Sequence, residues 1–196
     1  MEFDDVFKSQ QLDIEYGCCV GDNRIVFIKS GLGGNHVGYA SKYVRIARRL
    51  QETYGCSVIV ASNPNDQKSH AEIDKRTIDD FISENGIETP QLFFMGHSNG
   101  GFKGLEMTSS GCEFQRMLLV NMPLMINVHK IVQYLKGIPQ THIRMIYGEF
   151  DPSISLVPLF RDVFAHVKVE VFPRADHNFK GLLDEFIGLS DILFVD

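Results

Sequence analysis

Short apolar runs alternate with longer amphipathic stretches along nearly the whole chain after residue 24. The apolar runs have the length of buried strands and occupy residues 24–29, 56–61, 91–95, 114–120, 143–147 and 167–172. Apolar positions at helical spacing predict helices over 39–54, 69–84, 100–108, 128–135, 155–165 and 179–194. A weaker alternation over 11–16 predicts an outer strand. Strands that alternate with helices predict the α/β class, a three-layer sandwich whose mostly parallel sheet carries helices on both faces.

Composition and charge fit an ordinary globular protein. A chain of 196 residues that is 44% hydrophobic and 22% charged suits one domain over 1–196. The net charge of −6 argues against a nucleic-acid surface. The acidic start of the chain does not resemble a signal peptide, and no apolar run is long enough to span a membrane. We therefore expect a cytoplasmic protein, and no feature of the sequence indicates an oligomeric state.

The cysteines and histidines show no metal-ligand spacing. Cys18, Cys19, Cys56 and Cys112 match no zinc or redox motif. The vicinal pair Cys18-Cys19 could be redox-active, but reduced thiols without a special role are the simpler interpretation in a cytosolic chain. No H-E-x-x-H or similar pattern occurs among the histidines. The sequence thus predicts neither a metal nor a cofactor.

A glycine-rich loop, Ser30-Gly31-Leu32-Gly33-Gly34, follows the first of these strands. A dinucleotide motif would need glycine where His36 stands, and a P-loop would need a following Gly-Lys-Ser/Thr, which is absent. The functional interpretation that remains is a loop that brings a backbone N–H to a reacting oxygen.

The segment Gly96-His97-Ser98-Asn99-Gly100 has the G-x-S-x-G spacing at the end of an apolar run. A nucleophile on a sharp strand-to-helix turn needs glycine at the flanking positions, because side chains there would collide with the strained backbone. Such a turn lifts the hydroxyl above the sheet edge and leaves the next N–H free at a helix N-terminus. A glycine-rich turn without chemistry is the alternative interpretation.

Functional loops gather at the carboxyl ends of parallel strands. Here the strands lead into 31–34, Ser98, Asp151 and His177, and the order serine, acid, histidine is that of the α/β-hydrolase arrangement. Over residues 24–190 the chain resembles a small α/β-hydrolase-fold serine hydrolase. The segments that carry the resemblance are Ser30-Gly31-Leu32-Gly33-Gly34, Gly96-His97-Ser98-Asn99-Gly100, Tyr147-Gly148-Glu149-Phe150-Asp151 and Ala175-Asp176-His177-Asn178-Phe179.

The resemblance implies a role for each residue of this constellation. Ser98 would be the nucleophile, His177 the general base and then acid, and Asp151 the group that orients the imidazole. The oxyanion would lie between the N–H groups of Leu32 and Asn99.

Alternatives exist for two of these roles. Glu149 is the nearest rival acid, and Asp176 is less suited because adjacent side chains in an extended loop diverge. Gly33 is the alternative to Leu32 as oxyanion donor, since the family often has His-Gly where this chain has Ser30-Gly31. His97 is expected to pack or to form part of the pocket wall.

The substrate is the least specified feature. Only one helix and one strand are predicted between 121 and 151, which leaves no room for a cap domain, so we expect an open site. Mostly apolar residues should shape it, although they could equally belong to the core: Leu32, Asn35, His36, Met122, Leu124, Phe150 and Phe179. We therefore expect hydrolysis of a carboxylic ester or thioester, or of an amide, in a small-molecule acyl substrate. A non-catalytic ligand-binding or partner-binding protein on the same fold and an acyltransferase are the alternatives.

Overall fold

The strands form one mixed sheet. The computed structural model describes residues 1–9, 13–66, 68–138, 140–161 and 163–195. Within these residues the sheet has eight strands: β1 (Asp5–Lys8), β2 (Glu15–Cys19), β3 (Asp22–Lys29), β4 (Cys56–Ala61), β5 (Gln91–His97), β6 (Phe114–Val120), β7 (His142–Gly148) and β8 (Val167–Phe172). Their spatial order is β1-β2-β4-β3-β5-β6-β7-β8. The pairs β1–β2 and β2–β4 are antiparallel, and every other neighbouring pair is parallel.

Helices cover both faces of this sheet. One face packs against α1 (Lys42–Tyr54) and α6 (Leu183–Gly188), and the other against α2 (Ala71–Glu84), α3 (Asn99–Ser109), α4 (Val128–Gly137) and α5 (Val157–Phe160). Within β3, Ile25 and Phe27 enter one apolar cluster while Val26 and Ile28 enter the other, because successive strand side chains alternate between faces. A strand buried on both faces therefore has a continuous apolar run. The predicted three-layer α/β sandwich with a mostly parallel sheet is confirmed.

The chain between β6 and the loop after β7 contains α4 and β7. The described residues of this segment form no cap domain, as the sequence predicts. In the part of the chain that the structure describes, no helix is both long and apolar enough to cross a membrane.

Several element boundaries differ from the prediction. Residues 11 and 12 of the predicted outer strand lie outside the described residues, and β2 begins at Glu15. The helix predicted over 155–165 is a 3₁₀ turn, Pro152–Leu156, followed by the short α5; residue 162 is not among the described residues. The helix predicted from 179 begins only at Leu183, because Phe179 and Gly181 adopt left-handed backbone angles.

The vicinal cysteines face opposite sides of the sheet. Cys18 belongs to the apolar cluster under α2, and Cys19 to the cluster under α1. Both are buried free thiols, and burial raises the pKa of Cys18 to about 11. A protonated, enclosed thiol is a poor nucleophile, so the pair behaves as packing residues.

Candidate active site

Ser98 sits at the turn between β5 and α3 with φ 55° and ψ −129°. The crowding around this turn explains its two flanking glycines. A Cβ on Gly96 would lie 2.5 Å from the nitrogen of Gly101, and a Cβ on Gly100 would lie 2.2 Å from the carbonyl oxygen of Lys29. Backbone atoms cannot move aside, so glycine is required at both positions, and the strained serine is held at the end of the strand.

Ser98, His177 and Asp151 form a continuous hydrogen-bonded chain. The Nε2 atom of His177 lies 2.9 Å from the hydroxyl of Ser98, and its Nδ1 atom lies 2.6 Å from Oδ2 of Asp151. Asp151 is buried, and its other oxygen accepts the N–H of Ser153 at 2.7 Å. Because Oδ2 of the carboxylate can only accept here, Nδ1 carries the proton and Nε2 is left to accept from the serine hydroxyl.

The two rival acids are occupied elsewhere. Glu149 is exposed, and its Oε2 accepts the N–H of Arg174 at 2.8 Å. Asp176 turns away from the neighbouring imidazole, since its Oδ1 accepts the N–H groups of Lys180 and Asn178, both at 2.9 Å. The hydrogen bond from Lys180 is the main reason that the pKa of Asp176 lies below its ordinary value. Asp151 is therefore the carboxylate that contacts the imidazole.

The main chain of His177 is held by two buried side chains. Its carbonyl oxygen lies 2.8 Å from Nδ2 of Asn121 and 2.9 Å from Nε2 of His97. The Oδ1 of Asn121 in turn accepts the N–H of Gly148 at 2.8 Å. Burial, followed by the nearby charge of Lys42, lowers the pKa of His97 to about 3, so its ring is neutral and donates through Nε2–H. His97 is thus a packing residue, as expected, with an added hydrogen-bonding role.

Hydrogen bonding within the loop after β3 distinguishes its two candidate oxyanion donors. The N–H of Gly33 donates to the carbonyl of Asn63 at 2.7 Å, and that of Gly34 donates to the carbonyl of Gly31 at 2.8 Å. Among the described residues, no acceptor takes the N–H of Leu32. Gly31 lies against the serine, because a Cβ on it would be 3.4 Å from Cβ of Ser98. Between the two candidate donors in this loop, the hydrogen bonding favours Leu32 over Gly33.

Asn99, the residue directly after Ser98, has the second candidate donor N–H. It is the first residue of α3, where backbone N–H groups have no acceptor within the helix. The half-buried Ser98 and Asn99 therefore present a hydroxyl and a donor side by side at the sheet edge.

Only some of the residues that we expect to contact the substrate have exposed side chains. Leu32, on the loop after β3, is 42% exposed, and Phe150, next to Asp151 on the loop after β7, is 64% exposed. Three further residues, expected to shape the pocket, lie instead in the core: Met122 and Leu124 are 0% exposed and Phe179 is 2% exposed. A place in the core is the alternative that their apolar side chains also allow.

The reason lies in local backbone geometry. Met122 packs against α3, where a Cβ on Gly101 would be 3.1 Å from it. The left-handed backbone of Phe179 turns its ring inward against Phe172 and Phe186.

Asn35 and His36 also have other partners. The side chain of Asn35 accepts the N–H groups of Val37 and Gly38, which closes the loop before α1. The ring of His36 lies 3.3 Å from the carboxylate of Glu15 and packs on Phe3, towards the antiparallel edge of the sheet. Neither side chain is directed at Ser98 by these contacts.

Solved structures that are similar to this one include serine hydrolases. The chain is similar to Est1E from Butyrivibrio proteoclasticus, with 11% identity, a TM-score of 0.73 and 95% of each chain covered. It is also similar to an alpha-beta serine hydrolase homologue from Coxiella burnetii, with 14% identity, a TM-score of 0.73, and 100% of this chain and 99% of that one covered. The chain has the α/β-hydrolase fold. XC6422 from Xanthomonas campestris, an a/b serine hydrolase without lid, shares this capless fold at 14% identity and a TM-score of 0.67, over 91% of this chain and 87% of that one.

At these identities the likeness establishes the hydrolase fold and not the reaction. No protein-family model matches the sequence, and no curated protein matches it. Within the described residues, no group of three His, Cys, Asp or Glu side chains is arranged to hold a metal ion.

Proposed function

We propose that this protein is a serine hydrolase that cleaves a carboxylic ester or thioester through an acyl-enzyme on Ser98. The observation that carries the proposal is the hydrogen-bonded chain from Ser98 through His177 to Asp151. A serine hydroxyl is a weak nucleophile unless an adjacent base accepts its proton, and this arrangement supplies that base in the correct tautomer.

The geometry supports a two-step reaction. As the Ser98 oxygen attacks the acyl carbon, its proton passes to Nε2 of His177, and Asp151 stabilises the imidazolium. The N–H groups of Leu32 and Asn99 would stabilise the negative charge on the former carbonyl oxygen. The imidazolium then protonates the leaving alcohol or thiol. In the second step His177 removes a proton from water, whose oxygen attacks the acyl-enzyme. The bond between the acyl carbon and the Ser98 oxygen then breaks, and the imidazolium returns its proton to that oxygen as the acid leaves.

An apolar acyl group is the best match to the exposed side chains near the triad. Leu32 and Phe150 are large apolar residues that stay in contact with solvent on two of the loops that form the site. Burying such surface against an acyl chain contributes roughly 25 cal/mol for each Å². We infer that hydrophobic acyl esters are turned over with lower KM than acetyl esters.

A fluorophosphonate probe and p-nitrophenyl esters test the proposal. The wild-type protein should be labelled and should release p-nitrophenol, while Ser98→Ala should lose both. Ser83→Ala, an exposed serine on α2, is the matched control and should behave like the wild type. A folded wild-type protein that is neither labelled nor active on acyl chains of any length would refute the proposal and favour a ligand-binding role.

A further inference from the structure

Asn63 lies two residues beyond β4 and is fully buried. Its main chain forms an isolated antiparallel bridge with Gly34. The N–H of Asn63 donates to the carbonyl of Gly34 at 2.9 Å, and its own carbonyl accepts the N–H of Gly33 at 2.7 Å. The glycine loop after β3 is therefore fixed to the end of the neighbouring strand, and the N–H of Gly33 is withdrawn from the site.

The side chain of Asn63 connects the glycine loop with Asn99, the residue after Ser98. Its Nδ2 donates to the carbonyl of Ser30 at 3.0 Å and to Oδ1 of Asn99 at 3.1 Å. The orientation of the amide is determined by chemistry, because a backbone carbonyl can only accept and must face the NH₂ group. One amide thus holds the start of the glycine loop and the residue after the nucleophile at the same time.

We propose that Asn63 is a positioning residue that fixes the two oxyanion donors, the N–H groups of Leu32 and Asn99, relative to each other. The inference rests on the proposed hydrolase function. Asn63 is buried, so it acts through its neighbours and not by contact with substrate. Oxyanion stabilisation depends on N–H donors that are correctly positioned before the negative charge develops. A displacement of a donor by a fraction of an ångström weakens it.

The buried amide also has a feature that simple packing does not explain. Its Oδ1 has no hydrogen-bond partner among the described residues. An unsatisfied buried acceptor destabilises a fold, and an apolar side chain of similar size would avoid that loss. The Nδ2 group of Asn63 performs a task that leucine cannot, since only a donor connects Ser30 with Asn99.

The test compares Asn63→Ala with Ser57→Ala on an activated ester. Ser57 is the matched control because it is equally buried at the opposite end of β4, where its Oγ accepts the N–H of Gly21 and donates to the carbonyl of Asp22. Each substitution removes two side-chain hydrogen bonds near one end of β4. Asn63→Ala should lower kcat by about 10- to 100-fold, less than the loss expected on deleting a donor outright, and leave KM within about twofold.

The pH profile separates positioning from general loosening. The hydrogen bonds between Ser98, His177 and Asp151 do not involve Asn63, so the apparent pKa in kcat/KM should be the same in Asn63→Ala and wild type. Ser57→Ala should show a similar drop in melting temperature with unchanged kcat. Asn63→Ala with kcat within about twofold of wild type, or Ser57→Ala with an equal loss of kcat, would overturn the proposal.

If Asn63→Ala is poorly folded, a double-mutant cycle that combines the milder Asn63→Ser with Asn99→Ala gives a second measurement. Asn99→Ala keeps the backbone donor and removes only the acceptor for Nδ2, so its kcat should fall by a smaller factor. The effects of Asn63→Ser and Asn99→Ala should then be less than multiplicative; fully multiplicative effects would contradict the proposal.

If the hydrolase proposal itself is wrong, the wild-type protein will show neither ester turnover nor labelling by the fluorophosphonate probe. In that case amide hydrogen exchange decides the role of Asn63. Exchange at Gly33 should be at least about tenfold faster in Asn63→Ala than in Ser57→Ala if Asn63 fixes the loop. Equal exchange rates would overturn the positioning role.

Discussion

Asn121 donates from its side-chain amide to the main-chain carbonyl of His177 across 2.8 Å. The same side chain accepts the N–H of Gly148, so one residue at the end of β6 links the loops that carry the acid and the histidine. Asn121 has a left-handed backbone, with φ 50°, which asparagine tolerates better than most residues. Asn121 therefore helps to set the relative position of Asp151 and His177 through main-chain hydrogen bonds, without bonding to either side chain.

Substitution of this link should affect both stability and turnover. Asn121→Ala leaves the N–H of Gly148 without its buried partner, and we expect about 1–3 kcal/mol lower unfolding free energy. A displaced imidazole should also lower kcat/KM by roughly 10- to 100-fold. Asn23→Ala, which removes a half-buried side chain whose amide donates to the carbonyl of Thr89, is the control and should leave kcat/KM unchanged. Wild-type kcat/KM in Asn121→Ala would contradict the linking role.

The identity of the acid can be tested by isosteric amides. Asp151→Asn should leave the fold intact and lower kcat by about 10⁴-fold, because the amide favours the wrong tautomer of the imidazole. Glu149→Gln and Asp176→Asn change carboxylates that bond only to backbone N–H groups in this region, and should keep kcat within a few fold of wild type. Loss of activity in Glu149→Gln with survival of Asp151→Asn would reverse the assignment.

His97 should make the protein sensitive to acid. Because its pKa in the folded protein is about 3, the unfolded chain binds a proton below about pH 6.5 while the folded protein does not. Stability from this site is therefore complete above pH 6.5 and falls on acidification towards pH 3, by up to about 1.4 kcal/mol for each pH unit. His97→Gln retains a donor and does not titrate.

Chemical denaturation between pH 4 and pH 7 measures this contribution. The slope of unfolding free energy against pH should be smaller in His97→Gln than in the wild type, by up to about 1.4 kcal/mol for each pH unit. His129→Gln, an exposed histidine on α4, is the control and should keep the wild-type slope. Parallel slopes in His97→Gln and wild type would show that His97 titrates normally.

The glycine after Asn99 should not tolerate a methyl group. A Cβ on Gly100 would lie within 2.2 Å of the carbonyl oxygen of Lys29 and 2.5 Å of that of Ser30. Gly100→Ala should destabilise the fold by about 1–3 kcal/mol or more, and should lower kcat because α3 must shift. Gly137→Ala, where no atom lies within 4 Å of the added carbon, should be neutral or stabilising by up to about 1 kcal/mol. Thermal unfolding distinguishes the two, and equal melting temperatures would contradict the steric argument.

A buried ion pair lies below the nucleophile turn. Lys29 and Asp74 are both fully buried, with Nζ 2.9 Å and 2.8 Å from the two carboxylate oxygens, and the hydroxyl of Tyr16 donates to Oδ1 of Asp74 at 2.9 Å. Asp74→Ala leaves an unpaired buried ammonium and should destabilise by about 3–5 kcal/mol. The double variant Lys29→Met with Asp74→Leu should recover most of this loss. Asp184→Ala, which breaks an exposed pair with Arg45, should have little effect.

Much of the fold follows from local pattern. The apolar runs at 24–29 and 114–120 are strands in the structure because a parallel strand buried on both faces cannot accommodate polar residues along its length. Where the chain uses left-handed residues, the pattern fails: Ala40 and Ser41 delay α1 to Lys42, and Phe179 delays α6. Periodicity does not encode such turns, since they depend on tertiary contacts that hold an unfavourable backbone angle.

The candidate site, like the fold, was predictable from the sequence only in part. Motif spacing and order, together with the resemblance to α/β-hydrolases, selected Ser98, Asp151 and His177. The structure brings these three side chains into one hydrogen-bonded chain, and their catalytic roles are predictions. Sequence did not decide which residues line the surface, because Met122, Leu124 and Phe150 are all large and apolar, and only packing shows that the first two are enclosed.

The sequence by itself determined the α/β class, the strand ends that meet at one edge, and the glycines that the serine turn requires, because each depends on residues close together in the chain. The tertiary structure alone decided the contacts between distant residues. These include the hydrogen bond that occupies the N–H of Gly33, and the buried amides of Asn63 and Asn121 that join separate loops. A hydrogen bond between residues on different strands leaves no periodic signal in the sequence, so only their positions in the folded chain reveal it.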